Sequence, residues 1–269
     1  MYRVGYRTAS FHEHEGDLGR IFGTLGRLGY DNVELCLERG EVRPDIVTEK
    51  VAEAVVRQAT EVGLRIHSVS FHGDGQPWAQ RSAGELAAAR VARWFGVDVL
   101  VVNAPPPSEG VSWEELVEHF REVAAAAKGV IVAVEPEPKL MVDGVADALR
   151  LMEEVGAANL GVNLDIGHAC LTEPDLCASI NALGRRIVHT HLEDIPAGVH
   201  KHLVPGTGDL PLAEIVADLH QAGFRGPLTI DLFGPYDDPE DVARQAVRAT
   251  RDVIREASNV LRRRALSSL

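Results

Sequence analysis

Hydrophobic and polar positions along this chain follow two periods that take turns. Short runs that alternate, or are wholly apolar, are each followed by a longer run with apolar residues at helical spacing. Arg3–Thr8 reads as a strand, and Leu18–Leu28, with Ile21 and the leucines on one face, predicts a helix that Gly29 terminates. Asn32–Leu37 and Asp45–Val62 form the next pair. Leu64–Phe71 follows, then a helix opened by a Ser82/Glu85 capping box and running to Phe95. Val97–Asn103 is almost wholly apolar, as suits a parallel strand covered on its outer side, and a Ser112/Glu115 capping box opens the helix to Ala127. Val130–Glu135 pairs with a helix from Asp143 to Val155, and Leu160–Asp165 with a short helix from Pro174 to Leu183. Ile187–Leu192 is followed by a long loop and a helix from Pro211 to Ala222. Leu228–Phe233 is the last strand; Asp238 caps the last outer helix, with Pro239 at its first position and the body of the helix over 240–264.

Strands that alternate with helices, with no linker between the units, predict parallel pairing. About eight such units close into a single (β/α)8 TIM barrel, here expected to occupy residues 1–269 as one domain. The alternative is a doubly wound open sheet. It is disfavoured because TASFHEHEGD, after the first strand, carries no glycine-rich phosphate turn.

Composition narrows the function classes. At 269 residues and 45% hydrophobic, the chain can bury a full core. Its 40 acidic against 27 basic residues give a net charge of -13, which argues against a nucleic-acid surface. The one basic run, Arg262 to Arg264, reads as a solvated helix end. Three scattered cysteines, Cys36, Cys170 and Cys177, suit reduced thiols, and no apolar run is long enough for a membrane or signal segment. A cytoplasmic protein with no membrane partner is expected, and homo-oligomerisation is left open.

Active sites of such barrels sit at the C-terminal ends of the strands, so the residues there are the candidates. The first strand is followed by His12 and His14; the second carries Glu34; the third ends at His72 and the fourth at Asn103. The fifth ends at Glu135, the sixth at Asp165 with His168 three residues on, the seventh carries His189 and His191, and the eighth Asp231. Alternation puts Gly161, Asn163 and Asp165 on one side of the sixth strand. His119 and His220 lie on helices and are set aside as surface residues. Any one of these polar residues alone is more often a satisfied core group than a ligand. Their recurrence at one end of successive strands points instead to a divalent metal held by ligands from several strands.

The segments VEPEP, LDIGH, HTHLED and HLVPGTGDL carry a resemblance that covers nearly the whole chain. Together they resemble the xylose-isomerase-like superfamily of sugar phosphate isomerases and epimerases, which includes ketose 3-epimerases and, more distantly, apurinic endonucleases. The resemblance implies one divalent ion (manganese, cobalt, magnesium or zinc) held by Glu135, Asp165, His191 and Asp231, with Glu135 and Asp231 also serving as the catalytic acid/base pair. Asp231 departs from the pattern, because the family usually has Glu there. His168 is similar to the family's substrate-oxygen binder. Glu34, His72 and Asn103 are assigned to substrate as well, and so is the loop pair His200 and His202, which stands where the endonucleases bind a further zinc. Glu137, past the strand end between two prolines, is given a loop role.

Such residues suit proton removal from a carbon beside a carbonyl, the first step of ketose isomerisation or epimerisation, with a sugar or cyclitol as substrate. A metal-dependent lyase, dehydratase or deglycosidase on a keto-sugar or keto-inositol shares that step. A zinc-cluster nuclease is disfavoured by the acidity and by Asn103, where the endonucleases have a histidine. A barrel that only binds a ligand is the fourth alternative.

Overall fold

The computed structural model describes residues 2–11, 17–233 and 236–267; His12 and His14 lie outside them. Eight parallel strands close into a barrel in sequence order: β1 (Val4–Arg7), β2 (Asn32–Cys36), β3 (Arg65–Ser70), β4 (Val99–Asn103), β5 (Ile131–Glu135), β6 (Leu160–Asp165), β7 (Ile187–Leu192) and β8 (Leu228–Ile230). The ring closes where Val4 of β1 meets Leu228 of β8. Around it run α1 (Leu18–Leu28), α2 (Glu49–Glu61), α3 (Trp78–Val91), α4 (Trp113–Ala126), α5 (Val145–Val155), α6 (Ile166–Thr172), α7 (Leu176–Leu183), α8 (Leu212–Gln221) and α9 (Pro239–Ser267). None is long and apolar enough to cross a membrane.

Outward-facing residues such as Leu100, Val102, Val132, Val134, Val162 and Leu164 are buried under the helices in one continuous core. Burying each such side chain stabilises the fold by about 1.5–3 kcal/mol. Inside the barrel, Val99, Val101 and Ala133 form a small apolar cluster apart from that core. The rest of the interior is polar. His189 sits fully buried with Nδ1 2.9 Å from Asn163 Oδ1 and Nε2 3.0 Å from Ser68 Oγ and 3.2 Å from Thr229 Oγ1. A ring nitrogen facing a carbonyl oxygen must donate, so Nδ1 carries a proton, and burial disfavours a second one on Nε2.

Local signals explain most boundaries. Asp17 caps α1 by accepting from Arg20 N, and Gly29 ends it at φ 82°. The Ser112/Glu115 capping box of α4 has both of its hydrogen bonds, and Asp238 accepts from Asp241 N at 2.9 Å at the start of α9. Four helix starts differ from the sequence expectation. The third helix begins one turn early, at Trp78 after Pro77, so Ser82 lies inside it, and Glu85 is drawn to Arg81 and His119 instead of to a cap. Thr48, not Asp45, caps α2, since its side chain accepts from Val51 N. Val145 opens α5 because Glu173, from beyond β6, takes its N–H at 2.8 Å. Asp175, accepting from Ala178 N, moves the start of α7 to Leu176. One short helix, α6, was not foreseen; Asp165 caps it by accepting from His168 N at 2.8 Å.

Helix packing gives a test of sign. A methyl on Gly26 would stand 2.6 Å from the Val62 carbonyl oxygen at the end of α2, whereas one on Gly23 meets nothing nearer than Arg27 Nη1 at 3.6 Å. Alanine gains up to about 1 kcal/mol of helix propensity at either position, but overpacking at Gly26 costs about 1–3 kcal/mol. Gly26→Ala should therefore lower the urea midpoint and Gly23→Ala raise it.

The interior histidines give a second test. Burial pushes His189 down to about 3 and His67 down to about 4, from 6.5. The unfolded chain thus binds these protons first, so this stabilisation is complete above pH 6.5 and is lost as the pH falls toward 4. Urea titrations over that window should show the decline, and His67→Gln should make it shallower.

Candidate functional site

Parallel register sets the site out. Asn103 pairs with Glu135 across β4 and β5, Asp165 with His191 across β6 and β7, and Arg7 with Glu34 across β1 and β2. Side chains from separate strands are thus delivered at one height of the barrel. Glu135, Asp165 and His191 are buried and can bring one ligand atom each within 4.8 Å of one another. His191 Nδ1 stands 3.4 Å from Glu135 Oε2 and 3.8 Å from Asp165 Oδ2, while Nε2 faces the other way, 3.1 Å from Glu34 Oε1.

Burial alone would depress the His191 ring, yet the flanking carboxylates of Glu34 and Glu135 hold it well above its ordinary value. Burial likewise opposes ionisation of Glu135, but His191 and His72 hold that carboxyl well below the usual range. Glu193 goes the other way: burial and then the neighbouring Asp165 push it well above the usual carboxylate range. Its Oε1 accepts from Gly167 N at 2.5 Å, where a Cβ on Gly167 would collide with it.

Asp231 lies just past the end of β8, with Oδ2 3.7 Å from His191 Nδ1. That oxygen is also 2.9 Å from Arg7 Nη1, so the expected fourth ligand stands beside the triad but is ion-paired to an arginine. Its Oδ1 is buried and accepts no hydrogen bond from the described residues. So many buried carboxylates, three of them (Asp165, Glu193 and Asp231) with an oxygen that no described residue hydrogen-bonds, favour added positive charge. Oxygen and imidazole donors converging from three strands fit a divalent cation.

A cavity of about 380 Å³ opens above this cluster, lined by Arg7, His72, Asp74, Glu135, Glu137, His168, His200, Lys201, His202, Asp231 and Phe233. His72 thus lines it, with Nε2 3.2 Å from Glu135 Oε2 and Nδ1 2.5 Å from Arg7 Nη2. His168 Nε2 is 2.9 Å from His200 Nε2, and His202 Nδ1 donates to the Asp231 carbonyl at 3.0 Å. These three imidazoles form a second cluster that could hold a metal. Two residues assigned to substrate do not line the cavity. Glu34, fully buried, lies beneath it against His191, Arg7 and Ser68. Asn103, 1% exposed, is held between Arg81 and Glu137.

Two features escaped the sequence reading. Arg7 joins Glu34, Asp231 and His72 at the barrel axis, and an arginine at the end of β1 level with an acid on β2 was its available signal. His119, set aside as a surface residue, is buried with Nε2 2.5 Å from Glu85; His220, set aside with it, is half-buried with its ring edge-on to Tyr2.

A barrel with acids and imidazoles gathered at its C-terminal mouth defines the class. The chain belongs to the xylose isomerase-like TIM barrel family, whose model matches residues 22–253. It is 26% identical over 157 residues to fructoselysine 3-epimerase of Escherichia coli O157:H7, a stretch covering 56% of each chain, so the match spans little more than half of that relative. It is 24% identical over 221 residues to L-ribulose 3-epimerase of Methylomonas sp. (strain DH-1), covering 77% of this chain and 75% of the relative. A solved structure of L-ribulose 3-epimerase superposes with a TM-score of 0.77 at 19% identity, covering all of this chain and 99% of the other.

The Glu34–His191 contact yields a direct expectation. A carboxylate behind a metal-bound imidazole orients the ring and raises its basicity, and losing such a partner typically costs 10- to 100-fold in metal affinity. Glu34→Gln should therefore weaken Mn2+ binding by about 10- to 100-fold in calorimetry, with circular dichroism unchanged. Wild-type affinity in that variant would remove Glu34 from the site.

Proposed function

We propose that this chain is a divalent-cation-dependent isomerase or epimerase of a sugar or sugar-like ketone, acting by proton transfer at the carbon beside the carbonyl. The observation that carries the reading is that Glu135 and Asp231 line the same cavity while Glu135 also belongs to the Glu135, Asp165 and His191 cluster. The kinship with sugar 3-epimerases supports it.

Glu135, Asp165 and His191 would hold the cation, with Asp231 beside them. When bound, a divalent cation supplies Lewis acidity for the negative charge that develops on the ketone oxygen. The chain's own groups handle the proton. Arg7 fixes Asp231 through Oδ2, which leaves Oδ1, buried and without a hydrogen bond from the described residues, as the oxygen available to the substrate. Glu135, kept ionised by its imidazole neighbours, is the partner carboxylate. In this reading one of the two removes the proton and the other returns it. His168, whose ring is held above its ordinary value by Asp165 and Glu135 against the effect of burial, has an N–H to give a substrate oxygen. Phe233, 44% exposed at the mouth, offers an apolar face to the carbon side of a sugar.

The test is proton exchange into a panel of free ketoses, L-ribulose and D-fructose among them, in deuterated water. EDTA should abolish exchange, and elemental analysis should find one ion per chain. Two or more ions would bring the cluster of His168, His200 and His202 into play as a second site. Asp231→Asn should cut exchange by roughly 10²- to 10⁴-fold while the other three ligands keep the metal, and Asp231→Glu should stay active. An active Asp231→Asn beside a dead Glu137→Gln would move the proton to the β5 side and make a one-base lyase the better reading.

A further inference from the structure

We propose that Arg81, Glu85 and His119, which all lie outside the cavity, form a positioning relay that aims Glu137 at a substrate hydroxyl. The proposal rests on the reading of the cavity as a ketose site. Glu85, fully buried on α3, accepts from Arg81 Nε at 3.0 Å and from His119 Nε2, on α4, at 2.5 Å. Arg81, 2% exposed, then donates through Nη2 to Asn103 Oδ1 at the end of β4. Asn103 Nδ2 donates to Glu137 Oε2 at 2.8 Å, and Glu137 lines the cavity.

The direction of this chain follows from donor and acceptor chemistry. Arginine has donors only, so Asn103 must turn its amide oxygen toward Arg81, which leaves the NH2 group for Glu137. A reversed amide would set NH2 against guanidinium and C=O against carboxylate. Because Glu85 fixes Arg81 and His119 fixes Glu85, the orientation of a cavity carboxylate is decided two helices away. The loop is tied down as well: Glu137 N donates to Val142 O at 3.0 Å, and Met141 N to Pro105 O at 2.9 Å.

A purely structural role explains less. An ion pair this deep inside a helix layer is often no more stabilising than apolar residues of the same volume, so packing α3 against α4 does not require it. What the polar groups add is a defined end point in the cavity.

The test pairs kinetics with crystallography. Arg81→Met/Glu85→Leu removes the ion pair as a unit, and Asn103→Leu breaks the last link; if the double variant does not fold, Asn103→Leu and His119→Phe stand in for it. KM for the ketose that the wild type exchanges best should rise about tenfold, the worth of one hydrogen bond to a charged group, while kcat stays within about threefold. His119→Gln, which keeps an N–H for Glu85, should retain the wild-type KM. Crystal structures of the variants should show Glu137 turned away from its wild-type position. Unchanged KM, an equal fall in kcat, or Glu137 unmoved in the crystal would overturn the relay. If the wild type exchanges no ketose, the reading of the site as a sugar enzyme fails, and the position of Glu137 in the variant crystals alone decides the relay.

Discussion

Five carboxylates, those of Glu34, Glu135, Asp165, Glu193 and Asp231, lie at one end of the barrel with none more than 3% exposed, and their neutralisation is the constraint on which the rest of the site depends. Each would be costly alone in a low-dielectric interior. The molecule meets that cost in different ways. Arg7 takes Asp231 and Glu34 together. His191 stands between Glu34 and Glu135, and burial beside Asp165 pushes Glu193 toward its uncharged form. What these devices leave over, the Asp165 oxygen that no described residue hydrogen-bonds and the triad of donors around His191 Nδ1, is what a divalent cation would complete.

The barrel makes this gathering possible at little strain. In a parallel sheet every strand ends at the same rim, and alternation points every second side chain inward. The outward residues are apolar and held by the helix layer, so the interior is free to be polar. Here it is filled by hydrogen-bonded groups such as Asn163, His189, Ser68 and Thr229. Asn163 couples this filling to the site, since its Nδ2 lies 2.9 Å from Glu135 Oε2 and 3.1 Å from His191 Nδ1. The groups at the rim are thus tied to the filling beneath them.

Asp231 shows how the closed ring joins distant parts of the chain. Just past the end of the eighth strand, its carboxylate is met by an arginine from the first. Because β1 and β8 are neighbours in the closed ring, Arg7 is close enough to make that contact. The contact thus links opposite ends of the sequence.

The sequence by itself determined the periodicity and its consequences: the strand and helix order, closure into eight units, and the acids and imidazoles at the strand ends. LGVNLD and IVHTHL are strands at their expected bounds, and alternation puts Asn163 and Asp165 on one face of the first and His189 and His191 on one face of the second. Glu135, Asp165 and His191 come together for the same reason. Only the tertiary structure decided what depends on partners distant in sequence. Glu85 looked like a helix cap because Ser82 stands three residues before it, but a buried arginine and a histidine on the next helix compete for the same carboxylate and win. Asn103 ends β4 and Glu34 is carried by β2 as read, yet whether such a side chain faces the cavity or the groups below it depends on what the neighbouring strands bring to the same height. Local pattern fixes which face a residue is on; the closed ring fixes what it meets there.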